Sequence, residues 1–143
     1  MNWDKLKTNH YFKEPVEHIY SSTIFDLKEY DRLYENQNNL SHQSWLEFKN
    51  KYKVSVKMLD DIREIDKSKE ILCIWFFKER TDRSGGEDIL LSGKTLKYLP
   101  NTFLITESKL LTVLDKKDEY IRRPLVQINL IKSQYDQIVQ RFR

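Results

Sequence analysis

Positions 71–77 carry seven consecutive apolar residues, Ile-Leu-Cys-Ile-Trp-Phe-Phe, and this run constrains the fold more than any other stretch of the chain. It is far shorter than the roughly 20 residues of a membrane span, and it is rich in the β-branched and aromatic types that favour strands. Because side chains alternate between the two faces of a strand, this run needs apolar cover on both faces. The sequence therefore predicts a central strand that is buried between two layers.

Further strands are predicted on either side of this run. Residues 16–20 and 54–58 alternate between apolar and polar side chains, as half-buried strands do. Turn-forming residues mark breaks at positions 82–86, 92–93 and 100–101. The segments around these turns are short and apolar, and we expect strands at residues 88–91, 95–99, 102–106, 110–114 and 125–131.

Three helices are predicted from capping residues and apolar spacing. Asp26, followed by Glu29 three residues later, indicates the start of the first helix, and Ser41 indicates the start of the second. A third, short helix is expected at residues 132–143. The predicted apolar faces comprise Leu27, Tyr30, Leu33 and Tyr34 in the first helix, Trp45, Phe48 and Tyr52 in the second, and Tyr135, Ile138, Val139 and Phe142 in the third.

Composition excludes several functional classes. The 25 basic residues are balanced by 22 acidic ones and are interspersed with them, so we expect no nucleic-acid partner. No apolar run reaches membrane length, and residues 1–5 lack the apolar core of a signal peptide. The single cysteine, Cys73, lies in the apolar run, where a buried structural thiol is expected. These features predict a cytoplasmic protein, or a virion protein if the gene belongs to a phage, with no membrane partner.

The order and spacing of these segments carry a resemblance to a known family. Residues 71–77, Gly85-Gly86-Glu87, the Pro100-Asn101 corner and residues 123–130 resemble the core of the 2-oxoglutarate/Fe(II)-dependent oxygenases, in their prolyl-hydroxylase-like, phage-type branch. The resemblance implies an α+β fold, namely a double-stranded β-helix (a jelly-roll or cupin-like barrel) with N-terminal helices packed on one sheet and a short C-terminal helix. It implies one domain, residues 1–143, made of an arm (1–15), a strand with supporting helices (16–53), the barrel core (54–131) and the terminal helix (132–143).

The iron ligands of that family are missing from this sequence. The family holds iron with a His-x-Asp pair and a second histidine, but the last histidine here is His42, before the barrel strands. The resemblance assigns the ligand positions to Met58, Leu59 and Asp60, and to Leu111 or Thr112. It also places Arg123 where the family grips the co-substrate carboxylate, although Leu125 replaces the accompanying hydroxyl residue. We therefore expect no bound metal and no cofactor, with Arg123 as a vestigial co-substrate residue.

These observations favour a non-catalytic oxygenase-like barrel, a pseudoenzyme that acts as a structural or protein-interaction component. Its partners would be other protein chains of a larger assembly, such as the head, neck, tail or baseplate of a phage virion. One alternative is a barrel that binds a small ligand through Arg123, and another is an active oxygenase with an atypical metal site. The residues predicted to contact partners lie in the arm and in the terminal helix: Trp3, Tyr11, Phe12, Tyr135, Ile138, Val139 and Phe142.

Overall fold

The computed structural model describes residues 6–22, 26–68, 70–81, 87–113 and 123–143; Trp3 and the predicted turn at 82–86 lie outside them. These residues form an α+β fold with nine strands and three helices. The strands are β1 (Tyr11–Phe12), β2 (His18–Ser22), β3 (Val56–Leu59), β4 (Ile71–Phe76), β5 (Glu87–Leu91), β6 (Lys94–Lys97), β7 (Thr102–Glu107), β8 (Leu111–Val113) and β9 (Leu125–Leu130), and the helices are α1 (Leu27–Glu35), α2 (Gln43–Tyr52) and α3 (Lys132–Val139).

The strands form two sheets. The large sheet has the order β1-β2-β7-β4-β9-β3, and the small sheet has the order β6-β5-β8. Neighbouring strands run antiparallel in both sheets. The sheets pack against each other across an apolar layer, and the strands of the described ranges do not close into a barrel.

The central strand β4 has apolar cover on both faces, which confirms the prediction made for residues 71–77. Its odd-numbered side chains, including Cys73 and Trp75, join the core between the large sheet and the helices. The even-numbered side chains, including Ile74 and Phe76, join the core between the two sheets. All six residues of β4 are buried, because helices cover one face and the small sheet covers the other. The protein is thus built in three layers.

The helices begin close to the predicted positions. The Asp26 carboxylate accepts a hydrogen bond from the Glu29 backbone N–H at 2.8 Å and caps α1 as expected. The second helix is capped by His42 and not by Ser41, because the His42 ring nitrogen accepts the Ser44 backbone N–H at 3.1 Å. Of the apolar face predicted for α1, Tyr30 and Leu33 are buried and Leu27 is exposed.

Candidate functional site at one end of the sandwich

The predicted ligand positions do not bring metal-binding atoms into the space between the sheets. Leu59 and Leu111 point into this space, where they are 3% and 2% exposed. Asp60 and Thr112 are exposed, and Met58 packs toward the helix side of the large sheet. Strand alternation explains this outcome, since consecutive residues point to opposite faces. The inward positions are therefore occupied by aliphatic side chains.

These residues do not fit an iron ion. A leucine side chain has no donor atom, whereas Fe(II) in this family needs imidazole and carboxylate ligands. Within the part of the chain that the structure describes, no three His, Cys, Asp or Glu side chains are grouped so that they could hold a metal. The space between the sheets is instead lined by apolar side chains: Leu59, Ile62, Ile65, Leu72, Ile74, Phe76, Ile89, Leu91, Leu96, Tyr98, Leu104, Leu111 and Leu125.

Arg123 lies at one end of this apolar layer, next to a buried carboxylate. It is 5% exposed and lies two residues before the start of β9, and its backbone N–H donates to Asp61 Oδ2 at 3.4 Å. Asp61 Oδ1 also accepts hydrogen bonds from the backbone N–H and the Nε of Arg63, at 3.0 and 2.9 Å. Burial by itself raises the pKa of the Asp61 carboxyl, but the hydrogen bonds from Arg63 and Arg123 outweigh it and lower this pKa. Asp61 is therefore a charged, buried anchor beside Arg123.

A second buried cation, Lys78, lies next to Arg123. The Phe77 N–H donates to the Pro124 carbonyl at 3.2 Å, which continues the β4–β9 pairing and places Lys78 opposite Arg123. Lys78 is 3% exposed, and its ammonium nitrogen lies 4.6 Å from the centroid of the Tyr98 ring. The Tyr98 hydroxyl donates to the Pro124 carbonyl. Asp61 and Tyr98, which hydrogen-bond the backbone of residues 123 and 124, and Lys78, which lies over the Tyr98 ring, are therefore at the same end of the sandwich.

Sequence reasoning identified only Arg123 of this group. Lys78 was missed because it follows the apolar run at the point where a strand is expected to leave the core. The alternation of side chains along the strand could have revealed it. Position 78 follows the even-numbered residues of β4, whose side chains pack between the sheets. Asp61 could not be identified in this way, because the sequence alone does not show that residues 60–68 fold back onto β9.

Apart from Trp3, which lies outside the described residues, the side chains predicted to contact partners make contacts within this chain. Tyr135, Ile138 and Val139 are 1%, 7% and 0% exposed and form part of the core under α3. Phe142 stacks on Tyr11, with ring centroids 5.4 Å apart. These side chains attach α3 and the arm to their own domain.

The arm is also attached through a carboxylate. Two nitrogens of the Arg143 guanidinium donate to Glu17, at 2.9 and 2.6 Å, and the Tyr11 hydroxyl donates to the same carboxylate. Hydrogen bonds from Arg143, together with those from Tyr11 and Tyr135, lower the pKa of Glu17 to about 2, although partial burial opposes the shift. This network joins the arm to the end of the chain after α3.

Phe12 takes part in a different contact, between the edges of the two sheets. Its ring stacks on the imidazole of His18 with 5.0 Å between centroids, and Lys94 Nζ lies 3.6 Å above the Phe12 ring. Lys94 Nζ also lies 3.1 Å from His18 Nε2, while His18 Nδ1 lies 2.7 Å from the Val16 carbonyl oxygen. His18 is fully buried. The cluster attaches β6 of the small sheet to β1 and β2 of the large one.

Comparisons with known proteins do not assign this chain to a family. No family model, no curated protein and no solved structure matches it. None of the helices in the described ranges is long and apolar enough to span a lipid bilayer.

Proposed function

We propose that this chain is a double-stranded β-helix without iron chemistry that serves as a structural or protein-interaction component of a larger assembly. A phage virion is the assembly that the sequence resemblance favours, and an accessory of its head, neck, tail or baseplate would suit a small domain. The role is that of a pseudoenzyme, which keeps the oxygenase-like shell and has lost the ligands.

The strand order supports the fold assignment. In a double-stranded β-helix, the first, eighth, third and sixth core strands form one antiparallel sheet, and the second, seventh, fourth and fifth form the other. If β3 is taken as the first core strand and β4 to β9 as the third to eighth, the order β3-β9-β4-β7 matches the first sheet. The order β8-β5-β6 matches the second sheet, apart from its second core strand.

The segment at the place of this second strand is held by side-chain contacts. Residues 60–68 contain a short 3-10 helix, Ile62–Glu64, in place of a strand. The side-chain amide of Gln127 on β9 forms two hydrogen bonds with the backbone of Asp66. Its Oε1 accepts from the Asp66 N–H at 3.0 Å, and its Nε2 donates to the Asp66 carbonyl at 3.1 Å. Lys67 Nζ donates to the Leu111 carbonyl at 2.8 Å. These bonds support the view that the segment keeps the path of the second core strand.

The single observation that carries the proposal is the apolar packing at the expected metal position. Leu59 and Leu111 enter the space between the sheets and contact an aliphatic core, so a metal and its water ligands would displace well-packed side chains. An oxygenase needs that volume open and lined by donor atoms. A shell with a filled interior is better suited to a structural role.

The test combines metal content with turnover. The full chain is loaded anaerobically with Fe(II), desalted and analysed for iron by mass spectrometry, and succinate formation from 2-oxoglutarate is then measured. We expect iron far below one equivalent and succinate at the level of a protein-free control. One equivalent of iron, or succinate that depends on the protein, would overturn the proposal and favour an active oxygenase with an atypical site.

The interaction half of the proposal has its own readout. Isolated from its source, the chain should elute within a larger assembly and not at its own mass of 17.4 kDa. Elution as a free monomer across the protein concentrations of the source would contradict an assembly role, whatever the iron assay gives.

The pair Lys78 and Arg123 favours a second candidate function, the binding of a small anionic ligand. Lys78, which lies over the Tyr98 ring, and Arg123, which is opposite it in the strand register, are both buried cations of the kind that hold a carboxylate or phosphate. Isothermal calorimetry with 2-oxoglutarate and with inorganic phosphate tests this function. Heat of binding that is lost in Arg123→Met would support it, and absence of heat with both anions would remove it.

A further inference from the structure

Strand β3 offers an edge of the large sheet that another strand can join. In the described ranges, β3 pairs with β9 alone, through Val56 to Leu59, so one side of its backbone faces away from the sheet. Such an edge presents N–H and C=O groups in the geometry that an added strand needs.

The other long edges are capped by side chains. On β6, the Lys97 carbonyl accepts a hydrogen bond from the Tyr20 hydroxyl at 2.6 Å. On β8, the Leu111 carbonyl accepts one from Lys67 Nζ. The edge strand β1 has only two residues. An added strand would have to displace a cap on the small sheet, whereas no side chain of the described ranges caps the backbone of β3.

The side chains of β3, and of residues 53–54 that lead into it from the end of α2, show which strand would fit. Val54, Val56 and Met58 are only partly buried on the helix side, where they adjoin the core and leave an apolar strip at the edge. Lys53 and Lys57 are exposed, and neither forms an ion pair within the described ranges. A partner strand would need apolar side chains against the strip and acidic ones near the lysines.

We propose that the β3 edge binds an extended segment of another protein in which apolar and acidic residues alternate, and that this segment adds a seventh strand to the large sheet. Cross-strand contacts with Val56 and Met58 supply apolar burial, and carboxylates near Lys53 and Lys57 supply charge pairing. A second copy of this chain is disfavoured, because pairing two β3 edges brings lysines of both copies together. The inference deepens the proposed interaction role and rests on it.

A charge-swap experiment tests the edge directly. The full chain, labelled with ¹⁵N, is titrated with a capped peptide of alternating valine and glutamate, and with a matched peptide that has lysine in place of glutamate. We expect the acidic peptide to bind roughly 3- to 10-fold more tightly and to slow amide exchange in Val56–Leu59. The double variant K53E/K57E changes only exposed side chains. It should bind the lysine peptide more tightly than the glutamate peptide.

Several outcomes would overturn the inference. These are equal binding of the two peptides, protection of amides elsewhere, and absence of shifts in β3 at about 1 mM peptide. Protection of the same amides in a concentrated sample without peptide would identify a second copy as the occupant, and would also overturn it. None of these results depends on iron content, so failure here is distinguishable from failure of the pseudoenzyme proposal.

Discussion

Leu111 illustrates how the direction of one side chain decides what fills the space between the sheets. It occupies a position that the family resemblance assigns to a metal ligand, yet it is 2% exposed in the core between the sheets. Its neighbour Thr112 is exposed, on the opposite face of β8. The Cα–Cβ bonds of consecutive strand residues point to opposite faces of the sheet, so Leu111 is directed into the core and Thr112 toward solvent.

Truncation of Leu111 should therefore be costly to stability. We expect Leu111→Ala to lower the free energy of unfolding by about 2–5 kcal/mol, because it leaves a cavity in a packed core. Thr112→Ala should change it by less than about 0.5 kcal/mol. Urea denaturation followed by tryptophan fluorescence measures both variants. Equal effects would mean that Leu111 does not fill the interior as described.

His18 should make stability depend on pH near neutrality. Burial lowers the pKa of this imidazole below its usual 6.5, and the nearby Lys94 ammonium lowers it further, against the opposing hydrogen bond to the Val16 carbonyl. Because the folded-state pKa lies below the unfolded one, the unfolded state binds the proton first. The contribution of His18 to the free energy of unfolding is thus complete above pH 6.5. It is lost as the pH falls below this value, by at most about 1.4 kcal/mol per pH unit.

The measurement is the free energy of unfolding at several pH values between 5 and 7.5, for the wild type and for His18→Gln. We expect the slope to diminish in His18→Gln. The control is His10→Gln: burial, followed by the nearby Lys7, lowers the His10 pKa as well, but this side chain is only partly buried and should contribute less. An unchanged slope in His18→Gln would contradict the prediction.

At the scale of elements, the arm with β1 and the terminal helix α3 stabilise each other. Tyr11 stacks on Phe142, and Glu17 binds Arg143. Apolar spacing correctly placed Tyr135, Ile138 and Val139 on the buried face of α3, but the helix ends at Val139, before Phe142, and the spacing did not show where that face packs. The contacts between the two ends of the chain join residues more than 120 positions apart, and no local pattern encodes such a distance.

Glu17→Gln should loosen this connection. We expect the free energy of unfolding to fall by about 1–3 kcal/mol at pH 7, because a hydrogen bond from Arg143 to a charged carboxylate is replaced by one to a neutral amide. The folded-state pKa of Glu17, about 2, lies below its ordinary 4.5, so its contribution is present above pH 4.5 and is lost as the pH falls toward 2. The difference between variant and wild type should therefore shrink in acid.

A matched control is Glu47→Gln, which removes an ion pair with Arg32 in which both side chains are about half exposed. We expect a much smaller loss of unfolding free energy from this change than from Glu17→Gln, because solvent screens the exposed pair. Unfolding curves at pH 7 and pH 3 compare the two variants. A larger loss for Glu47→Gln would show that the contact between the arm and α3 is not a main source of stability.

At the scale of the whole molecule, Cys73 reports on opening of the sandwich. It is the only cysteine, it is fully buried in the central strand, and burial raises the pKa of its thiol. Both sheet faces of β4 are covered, so a thiol reagent should reach it only when the layers separate. We expect labelling by a disulfide reagent to be slow in buffer and to accelerate with urea in parallel with unfolding.

The control for this measurement is Thr112→Cys, which adds an exposed thiol on β8. It should give one fast and one slow labelling phase per chain. Rapid labelling of Cys73 in the wild type, at a rate insensitive to urea, would show that the helix layer opens independently of the sheets.

The sequence by itself determined the elements and the layering of this protein. The apolar run at residues 71–77 required apolar cover on two faces. The spacing of apolar residues and the helix-capping residues located the strands and helices, because both patterns depend only on neighbours within a few residues. Only the tertiary structure decided which side chains meet. It joined the backbone of Arg123 to Asp61, enclosed Leu59 and Leu111, and, among the residues that the structure describes, left one side of β3 without a neighbouring strand. Such contacts depend on strand order and register between distant segments, which local patterns do not specify.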